Sequence, residues 1–143
     1  MNEILKRGEG KRKYFTQITV EELASIKGRI AESKKWNLSK HTRERMVQKR
    51  INVSHAKIVE SILNSDVIEY KINRRAKGGQ QYLDERVLVE VKEMVLNGKR
   101  VRLKIVISLT TNDVITVWSN CVNDLHETLD WSAYDENMEI PII

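Results

Sequence analysis

A chain of 143 residues with 41% hydrophobic and 31% charged side chains has room for one domain with a sizeable core, which excludes two full domains. No segment approaches the roughly 18 apolar residues of a helical membrane span, and Met1 to Gly8 lacks the apolar run of a signal peptide, so a soluble cytoplasmic protein is expected. A single cysteine, Cys121, excludes an internal disulfide, and His41, His55, Cys121 and His126 are too far apart for a close-spaced zinc signature, so neither a metal nor another cofactor is expected.

The net charge of +5 is unevenly distributed. Residues 1–50 carry +8, residues 51–104 carry +4 and residues 105–143 carry −7, with no Lys or Arg beyond Lys104. A cationic body suits a polyanion, because neutralising phosphates releases counterions.

In chain order, Lys6, Arg7 and Lys11-Arg12-Lys13 with two glycines read as a mobile basic arm over residues 1–13. Thr19-Val20-Glu21-Glu22 has the form of a capping box, and Leu23, Ile26, Ile30 and Ala31 follow at helical spacing, predicting a first helix over 20–35. Leu38-Ser39 opens a second helix, with Leu38, Thr42 and Met46 four residues apart. The segment 50–54 reads as a stop and restart, in which Asn52 supplies the left-handed residue that ends the helix and Ser54 caps the next. Ile58, Val59, Ile62 and Leu63 then mark a third helix.

From Asp66 the period changes to two: Ile68, Tyr70 and Ile72 alternate with Glu69, Lys71 and Asn73, and Val87, Val89 and Val91 alternate with Leu88, Glu90 and Lys92. Asn97-Gly98 is a hairpin turn, Val101 to Ile107 alternate with basic residues, and a second turn at 110–113 leads into Val114-Ile115-Thr116-Val117-Trp118. The expected fold is α+β, with N-terminal helices on one face of an antiparallel meander of about four strands and a short C-terminal helix near Val122, Leu125 and Leu129. The organisation expected is an arm and first helix over 1–37, a helix-helix-meander core over 38–119 and an acidic tail over 120–143.

Several groups have the chemistry for a site. His41 and Arg45 sit one turn apart on the second helix, next to its apolar stripe; imidazole moves protons near neutral pH and guanidinium stabilises charge on phosphorus. That pair is the minimum kit for metal-free phosphodiester cleavage, and an ordinary helix-flank histidine is the alternative. With the helices on one face of the sheet, the other face presents Arg86, Lys92, Arg100, Arg102 and Lys104, which suits single-stranded RNA. The loop containing Arg74, Arg75 and Lys77 has the chemistry to track a phosphate backbone or to be a plain surface loop. Trp118 is expected to share its face with Thr116 and Val114; core packing ranks first for it and a base-stacking platform second.

The order Ser39-Lys40-His41-Thr42-Arg43-Glu44-Arg45-Met46, then Arg50, Val53-Ser54 and finally Asp113 to Trp118 resembles a family of small bacterial and phage domains. Their pattern is roughly K-H-A-x-x-R-M-x-x-R-G-I-S followed by a meander ending in I-T-V-W, and they are grouped with BrnT toxins and the RelE-like ribonuclease fold. The resemblance covers about residues 38 to 119. It implies a metal-independent endoribonuclease, or a relative that binds RNA without cutting, with His41, Arg45 and Arg50 at the site. Thr42 stands where the pattern has alanine, and Asn52 is read as replacing its turn glycine.

The leading expectation is therefore an RNA-binding, ribonuclease-type protein of a phage or mobile element. A second is a non-enzymatic regulator that docks on a host protein through its acidic tail, with Asp124, Glu127, Asp130, Trp131 and Tyr134 as the contacts. A homodimer is compatible with either. A third takes the second and third helices as a DNA-binding helix-turn-helix, ranked last because residues 54–63 contain only Lys57 as a basic side chain.

Overall fold

A computed structural model describes residues 10–33, 35–121 and 131–143. Three helices, α1 (Val20–Glu32), α2 (Lys40–Gln48) and α3 (His55–Leu63), accompany five strands. These are β1 (Arg12–Tyr14), β2 (Asp66–Lys77), β3 (Gln80–Leu96), β4 (Lys99–Ser108) and β5 (Val114–Cys121), and they form one antiparallel sheet in the order β1-β2-β3-β4-β5. The fold is α+β, with one strand more than expected. The extra strand is cut from the basic arm: Arg12, Lys13 and Tyr14 pair with Lys71, Tyr70 and Glu69.

Each helix starts where a side chain can satisfy its free N–H groups. The Thr19 hydroxyl accepts from the Glu22 amide while the Glu22 carboxylate accepts from the Thr19 amide, and Ser39 and Ser54 cap α2 and α3. The α2 stop differs from expectation. The left-handed residue is Arg50, with φ of 59°, and not Asn52. The Arg50 amide donates to the Val47 carbonyl and the Ile51 amide to the Met46 carbonyl, while Met46 and Ile51 are both buried; this is the Schellman arrangement.

Ile26 and Ile30 of α1 and Ile58 and Ile62 of α3 join Trp36 in covering Tyr70, Ile72, Val87, Val89, Leu103, Ile105 and Ile107 on one face of the sheet. Three register shifts, one of them between Val91 and Met94 in β3, reset which residues face the helices. Another at Ile68 turns Val67 inward and Ile68 outward, and the third at Ile115 buries Val114 while sending Thr116 and Trp118 to the opposite face.

Both sheet edges are covered. Along β5, the Thr42 hydroxyl donates to the Ile115 carbonyl (3.5 Å) and the Lys49 ammonium to the Val117 carbonyl (3.2 Å). Along β1, the Asp135 amide donates to the Arg12 carbonyl (2.8 Å), and residues 131–143 continue across α1. There Met138 and Ile140 enter the core. The predicted C-terminal helix near 122–129 lies outside the described residues. No helix among the described residues is long and apolar enough to cross a membrane.

Candidate nucleic-acid interface

The face of the sheet opposite the three described helices forms a cleft of about 620 Å³. Strand register builds its floor in rows. Lys71 lies opposite Arg12 and Arg86; Glu69, Leu88, Val106 and Thr116 follow; Glu90, Lys104 and Trp118 close the series. Because side chains alternate across a strand, the same period that buries Tyr70, Val87 and Ile105 commits these residues to the open face.

Trp118 is half-buried and lines the cleft, which corrects its reading as a core residue. The physical reason is the β5 bulge, which breaks the phase between Val114 and Trp118. Of the other basic residues expected to bind nucleic acid, Arg75, Arg86 and Lys104 also line it. Lys104 is buried in the floor, between Glu90 and Trp118 in register.

The remaining members of that set lie elsewhere. Lys92 and Arg102 border a neighbouring groove, where Lys92 faces Asp66 at 3.8 Å and Arg102 faces Glu90 at 3.6 Å. Arg100 is paired with Glu93. Arg74 and Lys77 stay on the exposed two-stranded ribbon that β2 and β3 form beyond the sheet.

Several cleft residues carry no site signal in the sequence, among them Arg12, Tyr14 and Lys71. Arg12 was assigned to the arm, and a three-residue strand carries too little periodicity to show its pairing. Tyr14 lies beside it. Lys71 was legible as an outward-facing residue from its alternation with Tyr70 and Ile72, but nothing local in sequence marks it as central. Burial, and then the neighbouring Arg12 and Arg75, hold its ammonium below the usual lysine range.

At the β1 side, Tyr134 reaches into the cleft and donates its hydroxyl to Glu69, which Arg12 also approaches at 3.5 Å. Burial and that hydrogen bond push the Tyr134 phenol up to about 12. Its ring packs edge-on to Tyr14 (6.0 Å between centroids) and tilted against Trp131 (5.3 Å). Trp131 and Tyr134, expected as partner contacts, thus belong to an aromatic cluster with Tyr14, although Trp131 is still 54% exposed. Asp124, Glu127 and Asp130 lie outside the described residues, as does His126.

His41, Arg45 and Arg50 are all exposed on or just after α2, and none of them lines the cleft. The His41 ring makes no hydrogen bond or ion pair among the described residues, so no neighbour fixes its orientation or tautomer. His55 is different: its Nε2 donates to the Trp36 carbonyl at 2.6 Å, tying the start of α3 to the segment before α2. Among the described residues, no three His, Cys, Asp or Glu side chains gather as metal ligands. Set against known proteins, the chain matches no family model, no curated protein and no solved structure.

Proposed function

We propose that this chain is a cytoplasmic RNA-binding protein of RelE/BrnT-like fold that holds a single strand in the cleft on the sheet face opposite its three described helices. The observation that carries the reading is the lining of that cleft, with an indole at one end and a group of cations at the other. A flat aromatic face stacks on any unpaired base, and guanidinium and ammonium groups neutralise phosphates. Trp118 and Lys71 are three strands and two side-chain rows apart, a span on the order of 20 Å, so the site suits several nucleotides and not one. A duplex keeps its bases stacked and offers Trp118 no π-face.

Binding is favoured over cleavage as the function of this face, because His41, the imidazole that the motif singles out, lies on α2 away from the cleft. A strand in the cleft does not need it.

Fluorescence anisotropy with a labelled single-stranded RNA tests the reading. Wild-type protein is expected to bind with a salt-dependent affinity and to prefer the single strand over the same sequence as a duplex. Trp118→Ala is expected to weaken binding about tenfold, within the 1–3 kcal/mol that one stacked base is worth, while Trp118→Phe keeps most of it. His41→Ala is expected to bind like wild type. Equal affinity of Trp118→Ala and wild type, or a preference for duplex, contradicts the proposal.

A further inference from the structure

Among the described residues, Lys71 is a cleft cation without an ion-pair partner. Its half-buried ammonium has no hydrogen bond or ion pair among the described residues, yet Arg12, Arg75 and Arg86 stand around it. A partly desolvated cation among like charges is costly, and an anion seated there would relieve it.

The two guanidinium groups beyond it are posed by a buried carboxylate. Asp84 is 1% exposed and accepts from the Ser108 hydroxyl at 2.6 Å and from Arg86 Nε at 2.6 Å. Arg75 Nε lies 2.8 Å from the same carboxylate as an ion pair, off the line of a hydrogen bond. Because Asp84 engages both side chains through Nε, their terminal nitrogens keep no partner among the described residues. That is the fork which suits phosphate oxygens.

Charge and shape then narrow the ligand. Among the described residues at this end of the cleft, four cations, Arg12, Lys71, Arg75 and Arg86, face two carboxylates, Glu69 and Asp84, leaving an excess of two positive charges. A phosphodiester brings one negative charge, whereas a phosphate monoester brings about 1.5 to 2 at neutral pH. The cleft also stops here: Arg75 and Arg86 are its outermost lining residues on β2 and β3, and residues 76–81 beyond them are exposed ribbon. Building on the RNA-binding reading above, we infer that the corner formed by Lys71, Arg75 and Arg86 receives the terminal phosphate monoester of the bound strand, so that the protein reads RNA ends.

One oligoribonucleotide with hydroxyl ends, a 5′-phosphate or a 3′-phosphate, titrated into wild type and Lys71→Gln, tests this. Removing Lys71 breaks no ion pair, so the variant is expected to fold normally, which circular dichroism checks. The expected result is that one phosphorylated form binds wild type about tenfold tighter than the hydroxyl form. Lys71→Gln should lose that advantage, so that its affinities for the phosphorylated and hydroxyl forms agree within about threefold, whatever it loses on both. Which end gives the gain identifies the terminus. Equal binding of all three forms, with Trp118→Ala still weakening each, overturns end reading and leaves RNA binding intact; no binding of any form overturns both.

Discussion

Arg50 shows how a single backbone angle redefines a motif. A non-glycine residue in the left-handed region carries a penalty of roughly 1 kcal/mol, which the Schellman bonds and the burial of Met46 and Ile51 offset. Arg50→Gly is therefore expected to stabilise the protein by about 0.5–1 kcal/mol, seen as a higher urea midpoint at an unchanged m-value. An unchanged or lower midpoint would mean that the arginine side chain contributes more than its backbone costs.

The Lys13–Glu22 pair is the ionic counterpart inside the body. Its 2.7 Å contact is almost fully buried, and Glu22 also accepts from the Thr19 and Ile140 amides while Lys13 donates to the Met138 carbonyl. Burial pushes the Glu22 carboxyl up, but Lys13 and the two amides outweigh it and hold it below the ordinary 4.5. Glu85 behaves the same way, its burial outweighed by Arg29 (2.7 and 3.0 Å) and by the Tyr70 hydroxyl (2.6 Å). For carboxylates whose native value is depressed, the unfolded chain takes up protons first as pH falls. Their stabilisation is thus present above 4.5 and lost as the pH drops through the lower native values. The urea midpoint is expected to fall as the pH drops below about 5, and less steeply in Glu22→Gln. The same slope in both proteins would contradict the role given to Glu22.

At the scale of elements, the strands and helices of the centre were the legible part. Capping residues at Thr19, Ser39 and Ser54, a clean period of two in β3 and β4, and Asn97-Gly98 with both residues at positive φ are local signals, and local sequence carries them. What sequence did not show depends on long-range pairing. β1 exists because Ile72, Tyr70 and Ile68 offer it backbone partners, and residues 131–143 are ordered by partners more than 100 positions away. Bulges are equally silent, since one added residue changes the face of Trp118 without changing composition. The acidic end read as a docking tail therefore includes a structural strap. Removing residues 138–143 takes Met138 and Ile140 out of the core and leaves the Glu22 and Lys13 charges short of two backbone partners. A loss of about 4 kcal/mol or more is expected by chemical denaturation, whereas native-like stability would show that the strap is dispensable.

Across the whole molecule, total charge was a weaker guide than its placement. Much of the basic excess counted along the chain is answered in the fold: Arg29 by Glu85, Arg102 by Glu90, Lys92 by Asp66 and Arg100 by Glu93. Four cations, Arg12, Lys71, Arg75 and Arg86, gather at one end of one cleft, around a lysine that the alternating pattern places on the outward face without marking its importance. His41 and Arg45, which the motif made prominent, stand on a helix that covers the far edge of the sheet. Two locations for RNA thus compete, and they are physically separable.

Photocrosslinking of a 4-thiouridine-substituted single-stranded RNA, followed by identification of the crosslinked peptides, distinguishes them directly. Crosslinks are expected in β3 to β5, with Trp118 among them, and at Tyr14 or Tyr134 on the opposite wall of the cleft. Crosslinks confined to α2 around His41, or scattered without preference over the basic surface, would contradict the central claim that the sheet face opposite the three described helices is the RNA-binding surface.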